Sequence, residues 1–472
     1  MTVLWAEPAV ASSEPDRSAV VRFVARRWPL LPLLGTVLLL AAPLPAGSEA
    51  GSGGLAPADA ASAGLVLFCL VRVVRSRSRP LTRAAAAVLG LPVIGIAVAT
   101  ATAVDPLATL PGFVRYLQVF VLVPAAVLLL LRDAGDFRIA AGSLTLLALA
   151  QGALGVHQYA TGTGASYMGE DIRAVGTFGP TDVMGMATVV AYGLLAAAAL
   201  ALSPPPGTRR ALRAAAGAAA VLLVVPLALS FSRGAWIATA LAALVMILLT
   251  GARRALSALA VLTALVVVLV GGPGVGTELI SQRLSSITQV SSAPDRSVTD
   301  RYTMWAAATG MWREQPLTGV GMKGFPAHRD GHSGIGLSSG GDTAGAGRAY
   351  RKQPLLSPHN MYLLILSEQG LIGATAFAAS WAVILAGAVR RLLRARDGRR
   401  TAVDCGLAAV ALMLWQTVDF LYADIGGPST VLTGVVLGLA AWWAFGPGST
   451  TSPVRARVPD ARTAPPGGAT AK

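Results

Sequence analysis

Long apolar runs of Leu, Ala, Val and Gly recur along the 472-residue chain and constrain its fold more than any other feature. The runs are about 17–22 residues long, the length that a helix needs to cross about 30 Å of hydrocarbon. They do not alternate apolar and polar residues as membrane-barrel strands do. Hydrophobic residues make up 54% of the chain and charged residues only 13%, whereas soluble domains carry about 25% charged residues. The predicted fold class is therefore an all-α, polytopic membrane protein.

Twelve transmembrane helices are predicted within residues 28–446. The predicted spans are 28–46, 60–74, 84–104, 112–131, 138–158, 183–202, 211–230, 235–250, 254–272, 359–389, 402–422 and 428–446. A cleaved signal sequence is the alternative for the first span, but the polar segment 1–27 ahead of it favours a retained helix. Gly370 and Gly373 predict a bend in the long 359–389 helix. The Pro- and Gly-rich tail 447–472 is predicted to be disordered.

Basic residues sort to one side of these spans. That side carries 26 of the 38 Lys and Arg residues but only eight of the 23 acidic residues. By the positive-inside rule it is cytoplasmic, so both termini lie inside and the polar insert 273–358 forms one large extracytoplasmic loop. The net charge of +15 is then explained by topology and by contact with anionic inner-leaflet lipids, without nucleic acid as a partner. We expect a multi-pass protein of the cytoplasmic (inner or plasma) membrane.

Cysteine and histidine patterns argue against a metal site. Cys69 and Cys405 both fall within predicted membrane helices, where they pack as small hydrophobic residues. His328 and His332 lie four residues apart, but no carboxylate pattern of a metal site accompanies them. We therefore predict no metal site.

Arg233 stands between two apolar helices in the short connection Ser230–Trp236 and departs from the inside bias of the other arginines. An arginine at the outer headgroup level is costly unless it is paired or functional. Its planar guanidinium suits bidentate binding of phosphate oxygens. The alternative is an arginine that reaches to lipid phosphates. Arg301 opens a second candidate stretch, a predicted amphipathic helix from Asp300 to Glu314.

His359 follows Ser357-Pro358, which predicts a helix start with Pro358 at the first helical position. A neutral imidazole there can take a proton from a hydroxyl group near neutral pH, although a histidine at a helix start is more often structural. Glu368 lies nine residues further on, deeper in the membrane. Support of the Gly370–Gly373 bend, or a pair with an arginine, is favoured over catalysis for this acid.

Taken together, these stretches resemble the O-antigen ligase/polymerase superfamily, membrane glycosyltransferases that use polyprenyl-diphosphate-linked glycans. The residues that carry the resemblance are Ser232-Arg233-Gly234-Ala235-Trp236, Arg301 with Trp305, Pro316-Leu317-Thr318-Gly319-Val320-Gly321 with Phe325, His359-Asn360 with Tyr362-Leu363, and Glu368, Gly370 and Gly373. It implies a GT-C-like helical fold with about a dozen spans. It also implies an inverting transfer, without a metal or a soluble cofactor, to a glycan, lipid or protein acceptor.

By this resemblance Arg233 and Arg301 bind the donor diphosphate, and His359 activates the acceptor hydroxyl. Ser232, Asn360 and Glu368 would support them. Arg173 is a third diphosphate ligand by the same reasoning. However, similar proteins usually continue Arg-Ala-Val-Gly-Thr-Phe with Asn-Pro-Asn, and this chain has Gly179-Pro180-Thr181-Asp182.

A polytopic solute transporter is the alternative function. Twelve spans with both termini inside are compatible with transport. Transport favours ionisable residues in discontinuous helices near the membrane midplane, for which Glu368 and Asp419 are the available candidates. The large outer insert favours the enzyme.

Overall fold

The protein was analysed as a computed structural model, which describes residues 26–42, 57–76, 81–167, 170–182, 184–251, 256–257, 296–333, 355–397 and 402–446. The predicted span 254–272, apart from residues 256–257, and the predicted tail 447–472 lie outside the described residues. The same holds for 273–295 and 334–354 of the predicted outer loop, and for 1–25 of the N-terminal segment.

Helices dominate the described chain. They are α1 (Leu31–Leu38, flanked by 3-10 turns Trp28–Leu30 and Leu39–Ala41), α2 (Pro57–Ser76), α3 (Arg83–Ala101), α4 (Pro106–Leu117), α5 (Val123–Leu130, joined to α4 by the π turn Gln118–Leu122), α6 (Ala134–Thr161), α7 (Gly185–Leu202), α8 (Arg210–Leu222), α9 (Val224–Leu229), α10 (Arg233–Leu249), α11 (Arg296–Glu314), α12 (Phe325–His332), α13 (Met361–Asp397), α14 (Val403–Asp419) and α15 (Thr430–Phe445). A short antiparallel hairpin, β1 (Ala165–Tyr167) and β2 (Glu170–Arg173), interrupts them. The all-α prediction is thus confirmed apart from this hairpin.

Among the described residues, seven helices are long and apolar enough to cross a membrane. Three shorter apolar helices, Trp28–Ala41, Arg233–Leu249 and Thr430–Phe445, accompany them. The polytopic membrane class is confirmed by these lengths and compositions. The count of twelve spans stays a prediction, because one of the predicted spans lies outside the described residues.

The last two helices form the centre of the bundle. Trp415 of α14 and Trp442 and Trp443 of α15 are all fully buried. Gly434 and Gly438 let α15 approach the α4–α5 helix: a Cβ at Gly438 would lie only 2.5 Å from the Cβ of Val127. Small residues spaced by four are typical of close helix contacts in membranes.

Ion pairs fasten the arginine-rich end of the bundle, which we call the basic end. Arg138 of α6 bonds to Asp404 at the start of α14 at 2.6 Å, and Arg27 bonds to Asp133 at 2.8 Å. The Arg27 guanidinium lowers the pKa of Asp133 against the opposing effect of burial. The basic end is therefore closed by paired charges, and the candidate residues lie at the other end, which we call the site end.

Helix α13 is broken where the sequence predicted a bend. Gly370 adopts φ 60° and ψ −164°, a left-handed region that only glycine enters without strain. The break leaves backbone N–H and C=O groups within residues 367–372 without partners inside the helix. These groups bond instead to a loop segment at the site end.

Candidate functional site

The first half of the connection between α14 and α15, residues 420–424 (called here the 420–424 connection), contacts the candidate stretches at the site end. The Met361 amide donates to the carbonyl oxygens of Phe420 and Ala423, at 2.9 and 3.1 Å. Asn360 Nδ2 donates to the Leu421 carbonyl at 3.2 Å. The segment that carries His359 is therefore fixed to this connection by backbone and side-chain bonds.

His359 occupies a strained backbone conformation. Its φ is 48°, in the left-handed region, and α13 begins two residues later, at Met361. The prediction of a helix start at Pro358 was wrong: Asn360 caps the helix instead, since its Oδ1 accepts from the Leu363 amide at 3.0 Å. Strained residues of this kind persist only where their surroundings hold them, and they cluster at functional sites.

Helix α11, which carries Arg301, contacts the His359 segment. Trp305 Nε1 donates to the Pro358 carbonyl at 2.9 Å, which joins α11 to the residue before His359. Burial lowers the pKa of His359 below its usual value, the Asp424 carboxylate opposes this shift, and the Arg301 guanidinium reinforces it. Arg301 and His359 are thus near enough to act on one another's charge.

Arg233 is the first residue of α10 and follows a tight turn. Ser232 caps the helix by accepting from the Ala235 amide at 3.2 Å, and the preceding Phe231 has a φ of 50°. A Cβ at Gly234 would lie 3.2 Å from the Cβ of Tyr422. The half-buried Arg233 therefore stands beside the 420–424 connection, at a helix N-terminus, where anions are also favoured by the helix dipole.

Arg173 ends β2 close to the Arg233 turn. The next amide, of Ala174, donates to the Leu229 carbonyl at 3.2 Å, where α9 ends. Gln158 of α6 accepts from the Gly176 amide at 2.8 Å, so α6 holds the segment that follows. The Arg173 segment thus lies near the Arg233 turn.

Asp182 belongs to the sequence that replaces the Asn-Pro-Asn of similar proteins, and its side chain makes a structural contact. Its carboxylate accepts from the Ser429 amide at 3.1 Å and from the Ser429 hydroxyl at 2.7 Å. Burial raises the pKa of Asp182, and these bonds from Ser429 partly offset the rise. The departing sequence therefore ties the Arg173 segment to the start of α15.

Backbone groups freed by the α13 break are taken up by Pro316–Gly321. The Val320 and Gly321 amides donate to the Ser367 and Glu368 carbonyls at 2.9 and 3.0 Å, and the Leu371 amide donates to the Pro316 carbonyl at 2.8 Å. A Cβ at Gly319 would lie 2.4 Å from the Glu368 carbonyl carbon. The glycines of this segment are therefore required by direct backbone contact.

Glu368 holds the same docked segment from inside the bundle. Its Oε2 accepts from the Tyr116 hydroxyl and its Oε1 accepts from the Phe325 amide, both at 3.3 Å. The side chain is buried. Glu368 therefore holds Phe325, the first residue of α12, and Tyr116 of α4 together, and its expected roles at the bend or with an arginine stay predictions.

Asp424 and Tyr422 belong to the site, although the sequence did not single them out. They lie in a short connection in which aspartate is common, so no local signal distinguishes them. Neither is near the other candidates along the chain. Only the bonds from Asn360 and Met361 to 420–423 reveal that Asp424 lies next to residues that hold the histidine segment.

The described residues contain no group of three or more His, Cys, Asp and Glu side chains that could hold a metal ion. The positive charge near His359 comes from Arg301, with Arg233 beside the same connection. A guanidinium group can bind an anionic group, and a neutral imidazole can accept a proton.

Residues 218–378 match a family model described as O-antigen ligase. The matched region contains Arg233, Arg301, His359 and Glu368, and it ends before the 420–424 connection. Arg173 precedes it. No curated protein matches the chain.

Proposed function

We propose that this chain, which belongs through residues 218–378 to the O-antigen ligase/polymerase superfamily, is a membrane glycosyltransferase. It transfers or polymerises glycan from a polyprenyl diphosphate donor at the outer face of the cytoplasmic membrane, in cell-surface polysaccharide assembly. The observation that supports this most is the gathering of the Arg233, Arg301 and His359 segments around residues 420–424.

The arginines bind the leaving group. Arg233 and Arg301 hold the diphosphate of the donor, with Arg173 as a third ligand. When the bond between the anomeric carbon and the diphosphate oxygen breaks, its electron pair stays on that oxygen. The guanidinium groups stabilise this developing charge, a role that a divalent cation fills in other transferases. The reaction is therefore metal-independent.

His359 prepares the acceptor. Its neutral imidazole takes the proton of the acceptor hydroxyl, and the oxygen attacks the anomeric carbon from the face opposite the diphosphate. The new glycosidic bond forms with inversion, and polyprenyl diphosphate leaves. Burial favours this neutral form because it lowers the pKa of His359.

The transporter alternative is less well supported. A broken helix in a transporter leaves backbone groups available to the solute or coupling ion. In this chain the groups around Gly370 bond to Pro316, Val320 and Gly321 instead. The break therefore serves to dock part of the outer loop.

Mass spectrometry of polyprenyl-linked intermediates in native cells tests the proposal. In cells carrying Arg233→Ala or His359→Ala at unchanged protein level, we expect lipid-linked glycan to accumulate. A single repeat indicates a polymerase, and full-length chains indicate a ligase. Arg390→Ala, an exposed change at the basic end, is the matched control. Normal glycan in both site variants would exclude the proposal.

A further inference from the structure

Asp424 carries a buried carboxylate oxygen that needs an explanation. Its Oδ2 atom is inaccessible to solvent and accepts no hydrogen bond from the described residues. A buried acceptor without a hydrogen-bond donor is destabilising, and a charged one more so. Such a group is retained where another role compensates for the cost.

The backbone fixes Asp424 relative to His359. The Met361 amide bonds to the Ala423 carbonyl, one residue before Asp424, and Asn360 bonds to Leu421. These bonds flank the strained His359, whose φ is 48°. The backbone segments that carry the histidine and the aspartate, 65 positions apart in the chain, are thus bonded to one another.

Two charged groups act on the His359 imidazole from different elements. Asp424 acts from the 420–424 connection, and Arg301 acts from α11 with the opposite sign. Asp419, the next acid in α14, interacts with both of these groups. The imidazole is therefore within electrostatic reach of one carboxylate and one guanidinium.

We propose that Asp424 is a positioning residue for His359. In the reacting complex its carboxylate accepts the imidazole N–H that faces away from the acceptor hydroxyl. This bond selects the tautomer whose other nitrogen is free to take the proton, and it stabilises the imidazolium that forms. The inference rests on the proposed function, because it needs His359 to be the base.

The pH dependence of transfer by purified protein tests this role. In Asp424→Asn, which keeps the side-chain volume, the acid limb should move to lower pH by about one unit, because the opposing carboxylate is lost. The maximal rate should fall at least tenfold, and Asp424→Glu should recover part of it. An acid limb and rate equal to those of the unchanged protein would overturn the inference.

A second measurement does not require activity. Diethyl pyrocarbonate modifies neutral imidazole, so the pH midpoint of His359 labelling, read on its peptide by mass spectrometry, reports protonation directly. We expect this midpoint to fall in Asp424→Asn and to stay unchanged in Asp330→Asn, an exposed acid at the site end. Equal midpoints in all three proteins would overturn the role of Asp424. If the labelling midpoint falls in Asp424→Asn as expected but the unchanged protein transfers no glycan, the role of Asp424 stands and the proposed function is contradicted.

Discussion

Trp305 Nε1 donates to the backbone carbonyl of Pro358 at 2.9 Å, across 53 residues of chain. This bond joins α11, the helix that carries Arg301, to the residue before His359. It therefore sets the distance between a proposed diphosphate ligand and the proposed base. Much of the proposed chemistry depends on this relationship, because misplacement of about 1 Å can reduce a rate a hundredfold.

Trp305→Phe removes the donor and keeps most of the ring. One net hydrogen bond contributes about 1 kcal/mol, which corresponds to a roughly fivefold lower transfer rate. Trp312→Phe is the matched control in the same helix, because its Nε1 is buried without a hydrogen-bond partner among the described residues. Initial rates of both variants check this. An equal loss in both would show that the bond to Pro358 has no special role.

Gly370→Ala should unfold the docked segment. The residue has φ 60°, and an added Cβ would lie 2.3 Å from the Leu317 carbonyl carbon. The left-handed conformation alone costs about 1–2 kcal/mol, and the clash adds to it. We expect a lower melting temperature in detergent and little transfer.

Gly142→Ala is the control for this prediction, because an added Cβ there meets nothing within 4 Å. Its melting temperature should equal or exceed that of the unchanged protein, since alanine favours the helix. A stable, active Gly370→Ala protein would contradict the docking of Pro316–Gly321 onto the break.

Transfer should persist below the pH at which an ordinary histidine is protonated. Burial lowers the pKa of His359 from 6.5, with the Asp424 carboxylate opposing and Arg301 assisting the shift. The base form is the neutral one, so the rate should be half-maximal below pH 6.5 and constant above it. A pH–rate profile of the purified protein checks this. A midpoint at or above 6.5 would argue against His359 as the base.

Features set by local residues could be predicted from the sequence. The membrane class follows from the apolar runs, and the break of α13 follows from Gly370. Arg233 was recognisable because it is a charged residue between two apolar helices. In each case the determining residues are neighbours along the chain.

Features set by packing between distant segments could not be predicted. The left-handed φ of His359 depends on bonds to residues 420–423, about 60 positions away. Asp424 looks like an ordinary loop aspartate until those bonds place it. The hairpin of β1 and β2 was missed because strands of three and four residues are too short to show a periodic pattern.

Release of polyprenyl diphosphate by the purified protein in lipid nanodiscs tests the central claim most directly. The donor is a polyprenyl-diphosphate-linked glycan, supplied with a hydroxyl acceptor. We predict release coupled to glycan transfer by the unchanged protein and by Arg390→Ala. Folded Arg233→Ala, Arg301→Ala and His359→Ala proteins should lose at least a hundredfold in rate. Release at an unchanged rate by any of these three variants would contradict the account.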